Sequence, residues 1–179
     1  MMNQVPLIPA SKPSARGRDS GRKARDDGGS LYKVILVPID FSECSNRTLQ
    51  YATHIAVREN ANIWLLHVFR VPDYSATQFR WGPRDCSSAE QKAEANLNAV
   101  AKEVLSRGIK VKACFRVGHP FEEIVSMSND PEVDLVLIGS HGCSAIKQLL
   151  LGSTAARVVE HARCPVMVVK ERFPSAYSA

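Results

Sequence analysis

The chain has 179 residues, the length of one domain with little to spare. Its 45% hydrophobic and 23% charged content excludes wholesale disorder, collagen and coiled coil. The net charge of +5 comes from 23 basic and 18 acidic side chains, with six basic against three acidic in residues 1–30 alone, so the rest is nearly neutral and no nucleic-acid-binding face is expected.

Residues 1–30 are rich in Pro, Gly, Ser, Arg and Asp, with hardly an apolar residue after Ile8, and read as a disordered basic tail. They lack the continuous apolar core of a secretory signal, and Asp19, Asp26 and Asp27 speak against a transit peptide. From Leu31 the texture changes. Val34 to Val37 is a short β-branched run without alternation, the pattern of a strand covered on both faces. Ser42 is placed to cap a helix reaching about Arg58, with Leu49, Ala52, Ile55 and Ala56 on one face. A second apolar run follows at Ile63 to Leu66. The stretch from Val71 to Ser88, holding Pro72, Trp81 and Pro83, reads as the longest loop, either a lid or partner surface or a plain insertion.

Ala93, Leu97, Val100 and Val104 recur at helical spacing, and Gly108 stops that helix. Lys110 to Val117 alternates, which predicts a strand at an edge with one face less buried. Pro120 suits the first turn of the next helix, where Glu122 and Glu123 complement the dipole. Val133 to Ile138 is a third unalternating run. Ser153 is placed to cap a last helix carrying Val158, Val159 and Ala162, and Pro165 restarts the chain as the strand Val166 to Val169. Residues 172–179 read as a short C-terminal tail. The order β-α-β-α-β-α-β-α-β predicts an α/β fold: a doubly wound, five-stranded parallel sheet of order 3-2-1-4-5 with helices on both faces. No apolar stretch approaches the ~20 residues of a membrane helix. The five cysteines, Cys44, Cys86, Cys114, Cys143 and Cys164, are odd in number and at least 21 residues apart, which predicts reduced thiols in a cytoplasmic protein and no zinc site.

In such a sheet a ligand binds at the carboxyl ends of the strands, where strand order reverses. There the first strand ends Pro38-Ile39-Asp40-Phe41-Ser42 and the fourth ends Gly139-Ser140-His141-Gly142. Nine residues later comes Gly152-Ser153-Thr154 at a helix start. Glycines bring backbone N–H groups close to an anion, and a helix N-terminus favours phosphate. Each glycine alone would mark only a tight turn, and Asp40 alone only a carboxylate at a helix N-terminus. His141 reads as a loop position and Cys143 as a small filler. His67 and His161 fall in apolar segments and read as structural histidines. No GxxxxGK[ST], GxSxG or HExxH motif is present.

The combination Gly139-x2-Gly142-x9-Gly152-Ser153 resembles the nucleotide motif of the ATP-binding branch of the universal stress protein family. Val34 to Ser42, Gly118-His119-Pro120, Val133 to Gly139 and Cys164-Pro165-Val166 resemble its other elements, so the likeness spans residues 31–171. It implies an adenine nucleotide alpha hydrolase-like fold and an ATP-binding module of a stress response, with Mg2+ carried by the nucleotide. It further implies that Asp40 reaches the ribose, with Pro38 and Ile39 lining that side, and that the Val68 backbone meets the adenine edge. Gly139, Ser140, His141, Gly142, Cys143, Ser144 and Ala145 would wrap the phosphates, joined by Gly152, Ser153, Thr154 and Ala155. A homodimer through the last strand, at Val166 and Val168, is implied as well. No catalytic residue is assigned. The alternatives are a slow ATPase or phosphoryl-transfer enzyme at the same site, and an interaction protein without nucleotide.

Overall fold

The apolar runs at Val34, Ile63 and Leu135 become inner strands because both faces of the sheet are covered there, while the equally apolar Val166–Val169 lies at an edge. The computed structural model describes residues 29–70, 83–142 and 151–170. Residues 1–28, 71–82, 143–150 and 171–179 lie outside the described residues, and with them the expected site residues Cys143, Ser144 and Ala145 and the expectations for both tails. In chain order the elements are β1 (Val34–Pro38), α1 (Glu43–Glu59), β2 (Asn62–Phe69), α2 (Pro83–Ser106), β3 (Val111–Val117), α3 (Pro120–Ser128), β4 (Leu135–Gly139), α4 (Ser153–His161) and β5 (Val166–Val169). The strands form one parallel sheet of order β3-β2-β1-β4-β5. The expected α/β architecture and strand order are those observed, and the alternating strand β3 is an edge.

Alternate residues of each strand serve opposite faces. Ile35, Val37, Ile63, Leu65, Leu135 and Leu137 pack under α1 and α2, against Leu49, Ala52, Leu97, Ala101 and Val104. Val34, Leu36, Trp64, Leu66, Val136 and Ile138 pack under α3 and α4, against Ile124, Met127, Ala155 and Val158. With two helices on each side, the sheet is doubly wound.

Local chemistry sets the boundaries, and three differ from expectation. Helix α2 begins at Pro83, inside the stretch expected to be loop up to Ser88, because Pro is compatible with a first helical turn. Strand β4 begins at Leu135 rather than Val133. Val133 N donates to Asp130 O in a turn (3.0 Å), and the Asp134 carboxylate accepts from the amides of Lys33 (2.8 Å) and Val34 (3.0 Å), tying off the start of β1. The N-cap of α4 is Gly152, not Ser153, which is the first helical residue. The Ser42 cap of α1 is as expected, its hydroxyl accepting from Ser45 N. Near the start of the described residues, the Ser30 hydroxyl donates to Glu59 O (2.8 Å).

Strand order reverses between β1 and β4. These two are in register only at Ile35↔Leu135 and Leu36↔Val136, so they part before their carboxyl ends. Pro38 contributes no N–H to rejoin them. A crevice opens there by construction.

Candidate functional site

The crevice is a cavity of about 470 Å³ at the carboxyl ends of β1, β2 and β4. From β1 come Pro38, Ile39 and Asp40, and from β2 comes Val68. Gly139, Ser140, His141 and Gly142 enter from β4. Gly152, Ser153, Thr154 and Ala155 close the far side at the start of α4. The cavity thus collects every expected site residue within the described part of the chain.

One backbone bond makes this possible. Gly152 N donates to Ser140 O at 2.7 Å, and Ser140 N donates to Val169 O at 2.8 Å. The end of β4 is therefore tied both to β5 and to the start of α4. A Cβ on Gly152 would stand 3.1 Å from the Ser140 carbonyl, so glycine permits the approach. No side-chain hydrogen bond caps α4 and no acid sits in its first turn. Its leading N–H groups and the positive end of its dipole therefore lie at the cavity with no acid of the helix's own first turn beside them.

Opposite stands Asp40. Its Oδ1 accepts from Ser42 N (3.0 Å) and Ser42 Oγ (2.5 Å), while the same hydroxyl oxygen accepts from Ser45 N (3.2 Å). Ser42 thus caps α1 and fixes the carboxylate at once. Oδ2 reaches across the crevice to Gly142, where a Cβ would lie 2.5 Å from it. Gly139 has a different reason to be glycine. Its Cβ would meet Cys44 Sγ at 2.9 Å and Thr48 Oγ1 at 3.1 Å, so its role is close packing of β4 on α1. The Ser140 hydroxyl lies 2.9 Å from His141 Nδ1.

His67 lies behind the site. It is buried, with Nδ1 2.8 Å from Ile39 O, in line with its expected structural role. Burial pushes its pKa down, offset in part by the Ile39 carbonyl and by Asp40. His161, by contrast, is exposed on α4, edge-on to Phe121 at 5.3 Å, because the apolar face of that short helix turns the other way.

Sequence reasoning missed six lining residues: Ser45, Leu66, Arg70, Pro120, Ile124 and Ile138. Leu66 and Arg70 were within reach, being two residues either side of Val68 and so on its face of β2. Pro120 and Ile124 carried no such signal, since only tertiary packing brings α3 over the crevice. Leu66, Val68, Pro120, Ile124 and Ile138 make one wall apolar, while the opposite end is backbone N–H and glycine. Arg70 is the one lysine or arginine among the described lining residues. Such a cavity suits a flat apolar group joined to an anionic tail. Among the described residues, no cluster of three or more His, Cys, Asp or Glu is placed to hold a metal ion. No described helix is long and apolar enough to cross a membrane.

Residues 31–170 match the model of the universal stress protein family. The chain is 32% identical over 147 residues to universal stress protein MJ0531 of Methanocaldococcus jannaschii, covering 81% of this chain and 86% of that one. The solved structure of MJ0577 from the same organism is 33% identical, with a TM-score of 0.71 over 80% of this chain and 99% of that one. A universal stress protein from Archaeoglobus fulgidus, solved in complex with dAMP, is 21% identical with a TM-score of 0.54, a likeness of fold over 78% of this chain and 99% of that one.

Proposed function

The chain belongs to the universal stress protein family, and from that premise we propose that its strand-end cavity binds ATP and that occupancy makes the protein a nucleotide-dependent regulatory module of a stress response. The observation that carries this reading is the uncapped N-terminus of α4, tied by the Gly152–Ser140 bond to a glycine turn and facing Asp40. The N–H groups there are suited to phosphate oxygens. Asp40, acceptor-only when ionised, is suited to ribose hydroxyls. The apolar wall suits the base, with the Val68 backbone at its edge. The fold neighbour solved with dAMP makes adenine nucleotides the class to test.

The residues present fit a magnesium ion that arrives with the triphosphate. A single carboxylate among the described lining residues, Asp40, suits an ion that keeps most of its waters and its phosphate ligands. We further read the protein as a homodimer through β5, and the buried cysteines Cys44, Cys114 and Cys164, none of them in a disulfide, as those of a cytoplasmic protein. Binding by these contacts needs no general base.

The test is calorimetric titration of the purified chain with ATP, with and without a chelator, alongside native mass spectrometry of the protein as purified. Saturable ATP binding that weakens when magnesium is removed is the expected result. No binding of any adenine nucleotide would overturn the reading. Timed ADP release from bound ATP separates a regulator from a slow ATPase.

A further inference from the structure

His67 lies between Leu66 and Val68, both of which line the cavity, so its own side chain faces the other side of the sheet. It touches no ligand position, yet it grips both residues that flank Asp40. Its Nδ1 is 2.8 Å from the Ile39 carbonyl. A carbonyl only accepts, so Nδ1 carries the proton and the neutral ring is the Nδ1–H tautomer. Its ring centroid lies 4.5 Å from that of Phe41 and 5.8 Å from that of Phe115. Phe41 has φ +62°, in the left-handed region. A bulky residue persists there only where its surroundings hold it. Ser42 then anchors the Asp40 carboxylate from the helix side.

We infer that His67 is a positioning residue for Asp40: by donating to the Ile39 carbonyl and packing on Phe41, it holds the strained 39–41 turn in the conformation that presents the carboxylate to the cavity. The consequence for ligand rests on the proposed ATP site, whereas the coupling between His67 and the turn does not. Losing the Nδ1–H donor leaves the Ile39 carbonyl buried without its partner. The turn relaxes, Phe41 leaves the left-handed region and Asp40 withdraws from Gly142.

Two substitutions separate donor from bulk. His67→Phe keeps a ring and loses the donor. His67→Asn keeps an N–H near the place of Nδ1 and loses the ring. In the nucleotide-free protein, the backbone 13C shifts of Phe41 report its φ. They are expected to move in His67→Phe and to stay close to wild type in His67→Asn. With ATP, His67→Phe is expected to weaken binding about tenfold, His67→Asn to recover most of that, and His67→Phe to cost nothing further in an Asp40→Ala background. Unchanged Phe41 shifts in a folded His67→Phe protein would overturn the inference. So would losses from His67→Phe and Asp40→Ala that simply add. If wild type binds no ATP, the proposed function fails, and the Phe41 shifts still decide the inference.

Discussion

Glycines 139 and 142 occupy one turn for different reasons, and substitution separates them. At Gly142 a side chain would displace the Asp40 carboxylate, a side-chain group at the cavity rather than backbone of the sheet. Gly142→Val is expected to keep the fold and to abolish ATP binding, at a cost of about 2 kcal/mol or more in lost charge-assisted contacts. Calorimetry checks the affinity and circular dichroism the fold. At Gly139 a methyl group would press on Cys44 and Thr48, both buried on α1. Gly139→Ala is expected to destabilise by about 1–3 kcal/mol through overpacking, read as a lower urea midpoint. His67 adds a pH dependence. The unfolded imidazole titrates near 6.5, and burial holds the folded one lower. Below about pH 6.5 the unfolded chain takes up a proton that the native state resists, so stability falls with acidification until the folded ring also protonates. Above that range His67 contributes no slope. Denaturant titrations at about pH 5 and pH 8 are expected to show this difference in wild type and a smaller one in His67→Phe.

At the scale of elements, ends matter as much as interiors. Strand β1 is covered on both faces, but its first amides have no neighbouring strand to meet. The Asp134 carboxylate, carried just before β4, accepts from both Lys33 N and Val34 N. Asp134→Ala leaves two partly buried donors without acceptors, for an expected loss of about 1–3 kcal/mol, seen as a drop in melting temperature with ATP affinity unchanged. Helix α1 ends on Asn60 in the left-handed conformation, φ +51°, with its N–H donating to Ala56 O. Helix α4 starts on Gly152 without a side-chain cap. The contrast separates a helix end closed by its own chain from one left open beside a cavity.

For the whole molecule, β5 is an edge with no strand beyond it among the described residues. Pro165 O and Val169 O both accept from β4, so by parity Val166 and Val168 turn their N–H and C=O groups outward. Val166, Met167 and Val168 are only partly buried. An apolar strand with an unpaired outer ladder invites a second strand, and a two-fold axis lets it pair with its own copy. Wild type is expected to sediment as a dimer at micromolar concentration. Val168→Pro removes an outward N–H while sparing the β4 ladder, so it is expected to yield a folded monomer. A wild-type monomer, or a variant that stays dimeric, would exclude this interface.

The strand and helix order was legible in the chain because periodicity is local. Unalternating runs at Val34, Ile63 and Leu135 can be satisfied only by cover on both faces, and the alternating run at Val111 only by an edge. The glycine, serine and Asp40 positions were legible too, since strand ends and helix starts determine what meets at a switch point. Tertiary structure alone decided the rest. It set Gly139 against Cys44, Gly142 against Asp40, and α3 over the crevice with Pro120 and Ile124. It also placed His67 behind Asp40, through a hydrogen bond spanning 28 positions of sequence. Such contacts depend on how layers of secondary structure settle on one another, and periodicity along one chain carries no record of that distance.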